Sequence, residues 1–125
     1  MTEEYQTSKP IYMQIAERIF KQIVRGEMAS GDKLASVREM AVQSGVNPNT
    51  IQRTYSEMER MGIVETRRGQ GTFITENEEI LANLKIRLQT DIIQSFVTSM
   101  RDIGFTKKEI VQGLQDYLNG GDMND

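Results

Sequence analysis

The segment from Gly31 to Ile74, GDKLASVREMAVQSGVNPNTIQRTYSEMERMGIVETRRGQGTFI, constrains this chain most, because it carries two helix starts and two helix stops at fixed spacing. Ser36 and Glu39 stand three apart in SVRE, the spacing at which a hydroxyl accepts from the third backbone N–H of a helix while the glutamate reaches back to the cap. The helix they start is short, because Gly45 follows Met40, Ala41, Val42 and Ser44 as the residue best able to take a left-handed end conformation. After Val46, Asn47 is placed to cap a second helix with Pro48 at its first position, where a missing N–H costs nothing. That helix is expected to run to about Met61 and stop at Gly62. A short helix, a tight Gly-Val turn and a second capped helix form the helix-turn-helix that places its second helix in the major groove of DNA.

The second helix is split in character. Ile51, Tyr55, Met58 and Met61 recur at three- and four-residue steps and are expected to face a core, whereas Asn47, Asn49, Thr50, Gln52 and Arg53 crowd the exposed first turns. Amides pair with adenine edges and guanidinium groups with guanine, so these side chains suit base reading. A strand signal follows at Gly62–Thr66, then Arg67-Arg68-Gly69-Gln70-Gly71 as an expected basic tip, then a second strand at Thr72-Phe73-Ile74. Such a hairpin can lie along phosphates or in the minor groove, with glycines allowing close backbone approach.

At these residues the chain resembles the GntR family of bacterial transcription regulators. The resemblance rests on Pro10-Ile11-Tyr12-Met13-Gln14-Ile15 leading through Ile23-Val24-Arg25-Gly26, then Gly31-Asp32-Lys33-Leu34-Ala35-Ser36-Val37-Arg38-Glu39, then Arg67 to Phe73, in order and at the family's separations over roughly residues 9 to 75. Ala35 departs from the proline usual there. The Asn-Pro-Asn-Thr start of the second helix and the short tail look like the YtrA subfamily, in which Pro48 replaces a basic residue that other branches place on DNA, leaving Asn49 and Gln52 as the better base readers. The resemblance implies a winged helix-turn-helix bound to double-stranded operator DNA, with Arg38 on a phosphate or base. It directs Ser36, Arg38 and Asn47, then Asn49, Thr50, Gln52 and Arg53, and in the wing Arg67, Arg68, Gly69 and Gln70 toward that DNA.

A net charge of −3 is unusual for a DNA binder until it is divided along the chain. Residues 1–75 hold ten Lys and Arg against nine Asp and Glu, whereas residues 76–125 hold five against nine, so the excess acid is in the tail. What matters near DNA is a local basic face rather than the overall isoelectric point. A nearly neutral winged domain makes few phosphate contacts, which implies modest non-specific affinity and dependence on two half-sites.

Composition excludes other classes of function. With no Cys there are no disulfides, zinc–thiolate sites or thiol catalysis, which fits a cytoplasmic protein, and with no His the commonest general base and metal ligand is missing. No apolar run reaches the roughly 20 residues needed to span a bilayer, and the start Met1-Thr2-Glu3-Glu4 is acidic rather than signal-like. Glu76, Glu78 and Glu79 lack the spaced loop of a calcium site and read instead as the acidic first turn of a helix. No metal or cofactor is expected, and neither a phosphate-binding glycine loop nor a nucleophile elbow supports an enzyme.

The chain therefore divides into a winged domain at 1–75 and a helical segment at 76–125, giving a mainly α fold with one small β-hairpin. Residues 1–8 are polar and expected to be loose, and Pro10 begins a helix with Ile11, Ile15, Ile19 and Ile23 at four-residue steps. Thr75 is expected to cap a helix of roughly 27 residues, about 40 Å long, ending at Gly104. Its stripe runs Leu81, Leu84, Leu88, Ile92, Phe96, Met100 and Ile103, and a second capping box at Thr106–Glu109 starts a shorter helix with Leu114 and Leu118 apolar, stopped at Asn119-Gly120-Gly121. Fifty residues in two helices cannot enclose both a core and a ligand pocket. The stripe is thus expected to meet a second copy through Leu81, Leu84, Leu88, Ile92, Phe96, Met100, Leu114 and Leu118, making a homodimer, and the residues assign no effector. An alternative is a winged-helix interaction module whose apolar tail docks another protein, which the basic pair Arg67-Arg68 argues against.

Overall fold

A computed structural model describes residue 5 and residues 8–120; the rest of the expected loose start, and Gly121, lie outside the described residues. The chain forms two compact units, Met1–Lys85 and Ile86–Asp125. The first holds helices α1 (Ile11–Val24), α2 (Val37–Ser44) and α3 (Pro48–Arg60), then strands β1 (Val64–Arg67) and β2 (Gly71–Ile74) and the start of α4 (Glu78–Asp102). The rest of α4 and α5 (Lys107–Gly120) make up the second.

The four-residue steps of α1 bury Ile15, Ile19 and Ile23 together with Phe20, and α3 presents Ile51, Tyr55 and Met58 to the same core. Met61, expected on that face, is only half-buried because it is the C-terminal cap of α3 rather than part of its last turn. Both ends of α2 follow their sequence signals. Glu39 N donates to Ser36 Oγ at 3.1 Å and Ser36 N to Glu39 Oε1 at 3.0 Å, while Gly45 closes the helix at φ 69°. Asn47 Oδ1 accepts from Asn49 N at 2.8 Å and Pro48 takes the first position of α3.

The hairpin pairs Val64 with Ile74 through Arg67 with Gly71. Arg67 is therefore a strand residue, and the expected five-residue tip contracts to Arg68, Gly69 and Gln70, closed by Gln70 N donating to Arg67 O at 2.9 Å. Residues 31–34 add a third extended edge that the sequence did not announce: Gly31 N donates to Ile74 O, Ile74 N to Asp32 O and Leu34 N to Thr72 O, at 2.8–2.9 Å. Gly71 has φ 124°, a backbone conformation that strains any other residue, and a Cβ there would also push aside the flexible end of Lys33, whose Cε would lie within 2.7 Å.

Asn77, not Thr75, caps α4. Its Oδ1 accepts from Glu79 N and Ile80 N at 3.0 and 3.3 Å, while Thr75 is 6% exposed and accepts from Asn77 N at 3.1 Å. The first unit extends to Lys85 and so takes in the opening turns of α4, where Leu84 is buried. In the second unit Thr106 N donates to Glu109 Oε1 at 2.9 Å and Glu109 N to Thr106 Oγ1 at 3.2 Å, starting α5 as its sequence predicts, and the helix continues through Gly120.

Candidate nucleic-acid interface

Three elements hold the head of α3 in place. Tyr55 Oη donates to Ala35 O at 2.7 Å, tying α3 to the loop before α2, and burial followed by the nearby Glu39 carboxylate pushes the Tyr55 hydroxyl up to about 12. Thr54 Oγ1 donates to Tyr12 O at 3.1 Å and to Thr50 O at 2.9 Å, fixing α3 to the first turn of α1. Arg18 donates to the fully buried Ser44 Oγ at 2.7 Å, and Tyr5 Oη to Ser44 O at 2.7 Å, anchoring the end of α2. Tyr5 lies inside the segment expected to be loose, and its aromatic ring was the available signal for an anchor.

On that frame Asn47, Asn49, Gln52 and Arg53 are exposed and Thr50 is half-buried. Asn49, Gln52 and Arg53 stand at three- and four-residue spacing and so share one side of the helix. Asn47 spends its carbonyl oxygen on the cap, and its amide N–H₂ has no partner among the described residues. Ser36 is likewise a cap first.

Arg38 sits exposed on the first turn of α2, facing a shallow cleft that it lines with Val42, Val46, Asn47 and Pro48. A pairing of Arg38 with Glu39 is the dull alternative for this residue. The Glu39 carboxylate is occupied by the cap, and the Ser36 backbone N–H, then the Ser36 hydroxyl, hold it below its ordinary range. Arg38 consequently has no hydrogen-bond or ion-pair partner among the described residues.

The two wing arginines differ. Arg67 lies with Cζ 4.2 Å from the Phe73 ring centroid and approaches Glu65 at 3.4 Å and Glu76 at 4.0 Å. These exposed ion pairs are weak, but they partly neutralise the charge. Arg68, with Gly69 and Gln70, is exposed at the tip and has no partner among the described residues. Lys33, whose basic character in the Gly-Asp-Lys motif was a signal the sequence offered, lays its side chain across Gly71 at the tip end of the wing. Tyr12, named in the sequence only as part of the Pro-Ile-Tyr motif, also lies at this site, with Arg53 Cζ 4.0 Å from its ring centroid.

The residues expected at a subunit contact differ in exposure. Leu84 is 4% exposed within the single chain and so already covered, and Leu81 is half-buried beside Ile23, Val24 and Met28. Leu88 and Met100 are half-buried, while Ile92 at 62%, Phe96 at 36%, Leu114 at 44% and Leu118 at 51% are open. Among the described residues no helix is long and apolar enough to cross a membrane.

Comparison with known proteins agrees with this geometry. Residues 11–74 match the family model described as bacterial regulatory proteins, gntR family. YhcF of Bacillus subtilis, described as an uncharacterised HTH-type transcriptional regulator, is 58% identical over 97% of this chain and all of its own length. The HTH-type transcriptional repressor YtrA of Bacillus subtilis is 35% identical, covering 95% of both chains. A GntR family transcriptional regulator from Listeria monocytogenes superposes with a TM-score of 0.83 at 38% identity, over 90% of this chain and 98% of the other. With a capped helix-turn-helix, a basic-tipped wing and these relatives, the chain belongs to the gntR family of bacterial regulatory proteins, as a DNA-binding transcriptional regulator and not an enzyme.

Proposed function

We propose that this regulator is a repressor that occupies an inverted-repeat operator as a homodimer. The observation that carries the DNA side of the reading is the exposed head of α3: Asn49 and Gln52 are exposed, and Arg38, whose adjacent Glu39 carboxylate is locked into a helix cap, lines a cleft with Asn47 and Pro48. In this reading Asn49 and Gln52 read base edges, Arg38 makes a bidentate contact, and Ser36, Asn47, Thr50 and Arg53 position the helix. Arg68, Gly69 and Gln70 follow the backbone or minor groove, and Arg67 adds charge once released from Glu65 and Glu76. Support for repression comes from the YtrA relative, named a repressor.

Support for the dimer comes from the apolar side chains of Ile92, Phe96, Leu114 and Leu118 left open in one chain. A two-fold pair of winged domains selects half-sites about one helical turn, or a multiple, apart. Titration of a duplex selected from random DNA, against a scrambled duplex at two salt concentrations, tests the assignment. Gln52→Ala is expected to cost about 1–3 kcal/mol on the selected duplex alone, while Arg68→Ala weakens both duplexes and lowers the salt slope by about one unit. Equal losses on both duplexes for Gln52→Ala would remove it as a base reader.

A further inference from the structure

Arg53 is the one arginine at the head of α3, and three features set where its charge goes. Its Cζ lies 4.0 Å from the centroid of the Tyr12 ring, within cation–π range, and the residue is exposed. The Tyr12 backbone is itself fixed, because Tyr12 O accepts from the fully buried Thr54, the residue after Arg53. Glu57, one turn further along α3, would be the natural ion-pair partner of Arg53. It is taken instead by Arg60, through Nε to Oε1 at 3.1 Å and a second, shorter contact to Oε2. Arg53 accordingly has an aromatic support and a Coulombic pull from Glu57, but no hydrogen bond or ion pair among the described residues.

We propose that Tyr12 is a positioning residue for DNA binding: its ring holds Arg53 extended at the rim of the recognition helix, ready for a backbone phosphate beside the half-site. The inference rests on the DNA-binding reading above. A free arginine must give up side-chain rotamer freedom when it meets a phosphate, and a guanidinium already laid on a ring gives up less. The neighbouring Asn49 and Thr50 line the same cleft as Pro10, Ile11 and Tyr12, so Arg53 lies where the head of α3 meets the first turn of α1. A planar N–H fork that is not locked into an ion pair suits a phosphate there.

A double-mutant cycle decides it, using the full chain, a duplex selected from random DNA and a scrambled duplex, with melting temperature recorded for each variant. Tyr12→Phe keeps the ring and is expected to bind like wild type. Tyr12→Leu is expected to weaken both duplexes by roughly two- to fivefold, the size of an exposed cation–π contact. Arg53→Ala is expected to weaken both and lower the salt slope by about one unit, and Tyr12→Leu to add nothing in that background. An equal loss from Tyr12→Leu with and without Arg53 overturns the proposal, as does an Arg53→Ala loss confined to the selected duplex, which would make Arg53 a base reader. If Tyr12→Leu does not fold, wild-type binding by Arg53→Ala still overturns it. Wild-type protein that selects no duplex would overturn the DNA-binding reading itself, whereas normal selection with a silent Arg53→Ala overturns this inference alone.

Discussion

The two compact units of this chain differ in how far each completes its own interior. In the first, Ile15, Ile19, Ile51, Met58 and Ile74 are fully covered, and three backbone-to-side-chain ties lock the helices that carry the exposed Asn49 and Gln52. In the second, Ile110 is the one buried apolar residue described, while Ile86, Ile92, Ile93, Phe96, Ile103, Leu114, Tyr117 and Leu118 face outward. Large apolar side chains left open together are a feature of association surfaces. The contrast teaches that the two units differ in self-sufficiency: the winged unit closes its own core, whereas the helical unit leaves apolar side chains open, which we propose are covered by a second copy.

The largest expected effect breaks the helical side of this contrast. Ile92→Glu with Phe96→Glu should give a monomer with a folded winged unit, and operator affinity should fall by at least tenfold and by as much as about 10²–10⁴, because the second half-site is no longer bound intramolecularly. Analytical ultracentrifugation alongside DNA titration measures both, and a double-charge variant that still sediments as a dimer would move the interface elsewhere. Next in size, Ile51→Ala opens a void in the closed core of the winged unit and should cost about 2–5 kcal/mol. Denaturant unfolding at several protein concentrations checks it; a loss that depends on concentration would mean that the winged unit also leans on its partner.

A smaller effect concerns the tie between Tyr55 and Ala35. Tyr55→Phe should cost about 1 kcal/mol by leaving the Ala35 carbonyl without its donor. Because the folded hydroxyl is raised from 10.0 to about 12, its contribution is complete below pH 10 and lost as pH rises toward 12, so the variant should lose that part of the alkaline destabilisation. Unfolding curves at pH 8 and pH 11 show whether it does. The smallest concerns the two capping boxes. Hydrogen bonds from the Thr106 and Ser36 backbones hold Glu109 and Glu39 below the ordinary carboxylate range, so each cap is intact above pH 4.5 and fails as pH falls through the lowered folded value. Amide hydrogen exchange should then show the first turn of α5 opening before that of α2, whose helix is pinned by buried Met40 and Ala41; simultaneous opening would count against the contrast.

Most of the first unit was legible in the sequence because its signals are local. A capping box, a glycine end cap and an Asn-Pro start each act within four residues, so the borders of α2 and α3 lie where Ser36, Gly45 and Asn47 put them. The errors came where a nearby alternative competes. Thr75 and Asn77 are both good caps, and burial of Thr75 under the winged unit decided for Asn77. Arg67 and Arg68 read alike in the sequence, yet the pairing of Arg67 with Gly71 put one in the strand and left the other at the tip.

The sequence by itself determined the helix-turn-helix, the existence of the wing and the apolar stripe of the tail, since all three follow from short-range periodicity and caps. Only the tertiary structure decided that residues 31–34 join the hairpin, that Leu84 is already covered, that Glu39 and Glu57 are occupied by other partners, and that Tyr12 supports Arg53. Those outcomes depend on contacts between residues tens of positions apart, or on which of several neighbours captures a carboxylate. Local propensity carries no information about such competition, because the winner is set by the packing of the whole unit.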